Sequence, residues 1–279
     1  MIKSILVAVD GSAFTETVLQ YGIHFAEKFK AHLRVLTVID VRIFEWAVAI
    51  GVEGFAPVIP STIYQEESQK LLEQKADEVL KKTDRMLSQH KIDYQLDKES
   101  GNPVDVICDK ARLVDMVIMG AKGEFAKWSD KMMGATVEAT SRLSIKPIFV
   151  SRQKYRDIKN ILLAYDGSEN ASKALTLAAS FASTLKLSLH LLNVNSSPDE
   201  AKIMIQEAKE YLVSYNIPKI EEIIIEGDPS EKIVEAAKDK NIDLIIMGSY
   251  GHSRIREAIL GSTTVQVMRH SDLPILMAR

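Results

Sequence analysis

A single cysteine in 279 residues has no partner in the chain, which excludes an intramolecular disulfide. Cys108 falls in the apolar register of a predicted helix and reads as a small core residue. No stretch approaches the roughly 20 uninterrupted apolar residues of a membrane helix, so no membrane partner is expected. Basic residues are not in excess: 35 Lys and Arg stand against 38 Asp and Glu, a net charge of −3. That balance removes the usual electrostatic basis for nucleic-acid binding. His24, His32, His90, His190, His252 and His270 are scattered without metal-ligand spacing, so no metal site is expected. A Gly-x₄-Gly-Lys-Ser/Thr loop is missing, and no glycine-rich loop follows the first strand, which disfavours P-loop nucleotidases and dinucleotide-dependent dehydrogenases. Met1-Ile2-Lys3 passes directly into a strand pattern without a secretory leader, so a cytoplasmic location is expected.

What is present is a sentence written twice. Ile5-Leu6-Val7-Ala8-Val9-Asp10-Gly11-Ser12 returns as Ile161-Leu162-Leu163-Ala164-Tyr165-Asp166-Gly167-Ser168. Asp115-Met116-Val117-Ile118-Met119-Gly120-Ala121-Lys122-Gly123 returns as Asp243-Leu244-Ile245-Ile246-Met247-Gly248-Ser249-Tyr250-Gly251. A later Gly134-Ala135 answers to Gly261-Ser262, and Pro147-Ile148 to Pro274-Ile275. A repeat this long means two homologous domains, 1–152 and 157–279, rather than a short-period solenoid. The short charged stretch from Arg152 to Asp157 reads as the linker.

Periodicity supports the same division. Strands are predicted over 5–9, 33–39, 94–99, 115–119 and 147–150, alternating with helices over 17–29, 66–89, 103–111 and 136–143. The second half predicts strands over 158–165, 187–194, 220–226, 243–247 and 273–278, with helices over 170–185, 198–215, 229–240 and 262–270. Strict alternation with near-continuous apolar strands gives the fold class α/β: two repeated open, doubly wound parallel sheets with helices on both faces. One insertion breaks the symmetry. Residues 40–65 carry Ile43, Phe44, Trp46, Val48, Ile50, Phe55, Val58 and Ile59, where the other half has only Asn195-Ser196-Ser197. So apolar a loop is not expected to be disordered. Three readings stay open: a flap packed on the protein, a lid over a ligand, and a surface for a partner or lipid.

Ligands of open parallel sheets sit at the carboxyl ends of the strands, where strand order reverses. In the second half Asp166 ends the first strand, Val194 the second, and Met247-Gly248 the fourth. Gly261-Ser262-Thr263-Thr264 then opens a helix, whose N-terminal N–H groups and dipole suit phosphate. Asp166, acceptor-only when ionised, suits ribose hydroxyls, though Asp in Asp-Gly-Ser is equally used to close a turn. Gly227-Asp228-Pro229 and Gly101-Asn102-Pro103 read as purely structural helix starts.

The spacing Gly248-x₂-Gly251-x₉-Gly261-Ser262, with the strand-ending Asp, resembles the nucleotide-binding signature of universal stress proteins. The resemblance covers the chain twice and identifies it as a tandem member of that UspA-like family. It implies five strands per domain in the order 3-2-1-4-5, and domains paired through their last strands within one chain, with a homodimer left open. It implies ATP or AMP as ligand, with Mg²⁺ accompanying ATP. Carried over, Asp166 contacts ribose or adenine, Val194 meets adenine with its backbone, Met247, Gly248 and Gly251 shape the phosphate loop, and Gly261, Ser262, Thr263 and Thr264 hold phosphates. Arg254 and Arg256 lie on the intervening loop, either as phosphate partners or as solvated side chains. The first half departs from the signature: ten residues, Glu124 to Met133, separate Gly123 from Gly134, and Ala135 has no hydroxyl. Asp10, Val38, Met119, Gly120, Gly123, Gly134 and Thr136 keep family-like positions, so a weaker second site is expected there.

Three function classes remain in view at this level. The leading one is a cytoplasmic stress-response protein with a nucleotide as regulatory or stabilising ligand. The alternative is a non-catalytic scaffold, or a protein for another ligand, using the apolar insertion. The third is an enzyme, for which phosphoryl transfer would need a Lys or metal-binding acid near the γ-phosphate that the signature does not contain; slow ATP hydrolysis is the most it supports.

Overall fold

The computed structural model describes residues 2–42, 62–123, 133–249 and 260–279. Its first half runs β1 (Ser4–Ala8), α1 (Thr15–Phe29), β2 (His32–Asp40), α2 (Thr62–Leu87), β3 (Tyr94–Gly101), α3 (Pro103–Ala111), β4 (Met116–Gly120), α4 (Ala135–Leu143) and β5 (Ile148–Ser151). The second repeats it as β6 (Asn160–Ala164), α5 (Glu169–Leu185), β7 (Ser188–Val194), α6 (Pro198–Leu212), β8 (Lys219–Ile225), α7 (Pro229–Asp239), β9 (Leu244–Gly248), α8 (Ser262–His270) and β10 (Ile275–Ala278).

The ten strands of the described residues form one sheet in the order β3-β2-β1-β4-β5-β10-β9-β6-β7-β8. Each half is therefore a parallel 3-2-1-4-5 sheet. The halves meet where β5 and β10 run antiparallel, with Phe149 opposite Leu276. Alternation within each strand divides the core into two layers. Ile5 and Val7 face the layer covered by α1, α2, α5 and α6, whereas Leu6 faces α3, α4, α7 and α8. All three are fully buried, which is why the strands read as continuous apolar runs rather than alternating ones.

Local chemistry starts the helices where the sequence places them. Asn102 accepts from the Val104 amide ahead of α3, and Asp228 accepts from Ser230 and Glu231 ahead of α7, each with proline in the first turn. Two expectations are corrected. Cys108 is half-buried at the edge of its layer, not in the core, because Val104, Ile107 and Ala111 take the inward face of α3. The helix expected over 198–215 stops at Leu212, where the chain turns ahead of Pro218. β2 continues to Asp40 and α2 begins at Thr62. The apolar run of the insertion, Ile43 to Ile59, lies outside the described residues.

The seam between the halves is a shared core. Phe25 of α1 packs on Phe149 of β5 and on Phe181 of α5, with ring centroids 5.2 and 5.3 Å apart. Phe29 meets the same Phe181 at 5.1 Å. The connecting segment is tied to α1: Thr17 donates to the carbonyl of Gln153, and the Tyr21 hydroxyl bonds both the amide and the carbonyl of Arg156. Burial pushes the Tyr21 phenol up to about 12, which keeps it a neutral hydroxyl. Equivalent arginines then clasp the seam from both sides. Arg152, just past β5, donates to the carbonyls of Met268 and Leu273; Arg279, just past β10, donates to those of Arg142 and Ser144. Each guanidinium thus satisfies carbonyls at the end of the opposite half's last helix.

Candidate functional site

In the second half, strand ends and helix starts converge as the topology requires. The carbonyl of Leu192 accepts from the Tyr165 amide of the central strand's end, whereas the Asn195 amide donates outward to Ile225 of β8. Parallel strands alternate the side to which successive residues present N–H and C=O, so the backbone of Val194 faces inward, past the end of β6. That is the crevice of the topological switch. Asp166 borders the same crevice, and one of its oxygens accepts from the Ser168 amide at 3.0 Å, closing the turn. Gly167, at φ +75°, takes a left-handed conformation that glycine adopts without strain. Across the crevice, Gly261 caps α8 without a side-chain cap hydrogen bond among the described residues, and Ser262 and Thr263 open that helix.

Two of the expected ligand positions also make contacts within the protein. Gly248 lies so near the first turn of α5 that a Cβ would come within 2.9 Å of Asn170 Cβ and 3.0 Å of its carbonyl carbon. Close helix–strand packing is therefore enough to require glycine there. Thr264 is buried, and its hydroxyl donates to the carbonyl of Gly248 at 3.1 Å. Its one proton braces α8 against β9. Met247 is buried, one residue before the end of β9. Tyr250, Gly251, Arg254 and Arg256 lie outside the described residues.

The first half builds the same frame. The Val9 amide donates to Leu36, so Val38, two residues on, faces inward like Val194. Asp10 closes its turn by accepting from the Ser12 amide at 2.9 Å, and its other oxygen lies where a Cβ on Gly123 would come within 2.8 Å. The extra residue between Gly123 and Gly134 leaves the anchors unchanged. The Gly134 amide donates to Ala121, and the Gly261 amide donates to Ser249, both at 3.0 Å. The additional length is taken up between these anchors, and residues 124–132 lie outside those described.

A cavity of about 420 Å³ opens at these strand ends. That is within the range of about 300–1,000 Å³ of small-molecule sites. It gathers Asp10, Val38, Met119, Gly120, Gly123, Gly134 and Thr136, every residue that the sequence placed in the second site. It also recruits residues that sequence reasoning missed. Leu72, Lys75, Ala76 and Val79 come from α2, and Phe14, Arg42 and Lys122 from the loops around it. The four α2 residues have the i, i+3, i+4, i+7 spacing of one helix face, so the face was legible although what it covers was not. Arg42 pairs bidentately with Asp40, at 2.9 and 2.6 Å. Among the described residues, no group of three or more His, Cys, Asp or Glu gathers that could hold a metal ion. Among them, too, no helix is long and apolar enough to cross a membrane.

Comparison with known proteins matches this architecture twice. The model of the universal stress protein family fits residues 1–152 and again 157–279. Universal stress protein Slr1230 of Synechocystis sp. is 31% identical over 288 residues, covering 100% of both chains. Universal stress protein MJ0577 of Methanocaldococcus jannaschii is 31% identical over 144 residues, covering 52% of this chain and 80% of its own. Among solved structures, a universal stress protein from Archaeoglobus fulgidus superposes with a TM-score of 0.76 at 23% identity, covering 99% of this chain and 98% of its own.

Proposed function

We propose that this chain, which belongs to the universal stress protein family, binds an adenine nucleotide in its second half as a stabilising or signalling ligand. The supporting observation is the crevice at the ends of β6 and β7. An inward-facing strand backbone at Val194 stands opposite a helix whose first turn, Gly261-Ser262-Thr263, carries hydroxyls and, among the described residues, amides with no side-chain cap. A purine edge needs the first of these and a phosphate the second. In this reading Asp166 meets the ribose, Val194 the base, and Gly251, Gly261, Ser262 and Thr263 the phosphates; bound ATP would bring Mg²⁺ with it. Thr264 and Gly248 support the helix and loop rather than the ligand. The protein then acts in the cytoplasmic stress response by being occupied or empty rather than by turnover.

The test is to denature the purified protein and identify released nucleotide by chromatography, for the parent and for Gly261→Val. About one ATP or AMP per chain, lost in the variant, is the expected result. A ligand at a hundredfold excess over its Kd stabilises the folded state by about 2.7 kcal/mol. A parent protein that releases no nucleotide and shows no thermal shift with ATP and Mg²⁺ would overturn the reading.

A further inference from the structure

Three large aliphatic side chains stand in water at one corner of the first half. Leu113 is 70% exposed, Leu143 52% and Ile145 65%. Leu113 lies on the turn between α3 and β4, Leu143 ends α4, and Ile145 lies on the connection from α4 to β5. β4 and β5 are paired neighbours, with Val117 beside Ile148, so both connections open on the edge where these strands begin. Arg279 links them. Its guanidinium donates to the carbonyls of Arg142 and Ser144, and its charge also reaches the Cys108 thiol on α3. The repeat sets this corner apart, because the second-half counterparts are Asn241, His270 and Asp272, all exposed and all polar.

The three aliphatics together expose roughly 300–400 Å² of mostly hydrocarbon surface, the size of the largest apolar patch on a typical monomer and often a functional surface. A stable interface buries about 800 Å² per partner, a little over half of it apolar, so this patch with its rim has the scale that two chains need. The connections are also held in place before any partner arrives. The Leu113 and Val114 amides donate to the carbonyls of Lys110 and Ala111, and Ser144 Oγ accepts from the Lys146 amide and donates to its carbonyl. A preformed surface loses little conformational freedom on binding. Charge then selects the occupant. The rim carries both signs: Arg112 pairs with Asp109, Arg142 pairs with Glu138, and Asp115 and Lys146 precede β4 and β5. Anionic lipid is recruited by clustered basic residues, and a strongly charged protein partner by a rim of one sign. A mixed rim is complementary to itself about a two-fold axis, since acids of one copy can face bases of the other.

We propose that this corner is a self-association surface, on which Leu113, Leu143 and Ile145 pack against the same residues of a second copy in an isologous dimer. The patch occurs once per chain, so the pairing closes at two and does not propagate. It occupies the edge where β4 and β5 begin, opposite the strand ends that carry the cavity, and leaves that cavity open.

The experiment is sedimentation velocity of the full chain across the micromolar range, for the parent, Leu113→Asp, Ile145→Asp and the matched second-half change Asn241→Asp. All three positions are exposed, so circular dichroism should show the fold intact in each variant. The expected result is a parent dimer, weakened at least tenfold by each first-half substitution and unchanged by Asn241→Asp. A parent that is monomeric at every concentration would overturn the proposal. So would a dimer that persists in both first-half variants, or one weakened equally by Asn241→Asp. A monomeric parent that cosediments with phosphatidylglycerol vesicles would assign the corner to a membrane and overturn it as well.

Discussion

Replacing Phe149 by alanine tests whether the two halves are one cooperative unit. Phe149 is fully buried in β5, one residue inside the antiparallel seam, and its ring meets Tyr21 at 4.8 Å and Phe25 at 5.2 Å. Phe25 in turn packs on Phe181 of the second half. Truncation removes the transfer free energy of the ring and leaves a cavity in a wall built from both halves. Core Phe→Ala substitutions cost about 3–5 kcal/mol. Two lost ring contacts, each worth about 0.5–1.5 kcal/mol beyond area, place this one toward the upper end. For a chain of this size, about 4 kcal/mol lowers Tm by roughly 10 °C. Scanning calorimetry should show one transition before and after, shifted as a whole, because the aromatic core spans α1, β5 and α5. A loss under about 1 kcal/mol, or two transitions of which only the first moves, would refute a shared core.

Arg279→Ala removes the donors to the carbonyls of Arg142 and Ser144. It should cost about 1–3 kcal/mol in urea unfolding, because two carbonyls at a buried seam lose their partner. Thr264→Val keeps the shape but deletes the bond to the Gly248 carbonyl. It should lower stability by about 1 kcal/mol and leave nucleotide affinity within twofold, whereas a phosphate-holding role would cost tenfold or more. Burial lowers the proton affinity of both His24 and His190, only partly offset at His190 by Glu221. Their folded-state values lie below the unfolded value of about 6.5, so the unfolded chain protonates first and stability falls as pH drops through that value. Denaturation midpoints measured between pH 7.5 and 5 should fall for the parent and flatten in a His24→Gln, His190→Gln double variant.

Much of this molecule was legible from one dimension. Helix starts at Asn102-Pro103 and Asp228-Pro229 could be read because capping is chemistry between neighbours. Strands such as Ile5–Val9 could be read because burial on both faces leaves an uninterrupted apolar run. Strand ends and helix starts were legible, as at Asp10, Val38, Gly134, Asp166, Val194 and Gly261. What could not be read were roles that depend on what lies opposite. Gly248, expected in the phosphate loop, also lies against the first turn of α5, and Thr264, expected beside phosphate, also bonds the Gly248 carbonyl. Cys108 lay in an apolar register, but three neighbours on the same helix already filled the inward face.

The sequence by itself determined the duplication and the alternating elements, since these follow from periodicity and local turn geometry. The family resemblance implied that the last strands pair; tertiary structure alone decided the antiparallel sense of the β5–β10 join, the arginine clasp across it, and the face that α2 turns toward the first cleft. Those features are contacts between residues a hundred positions apart or on separate elements. No local pattern encodes them, because a helix face records only that it must be covered, not by what.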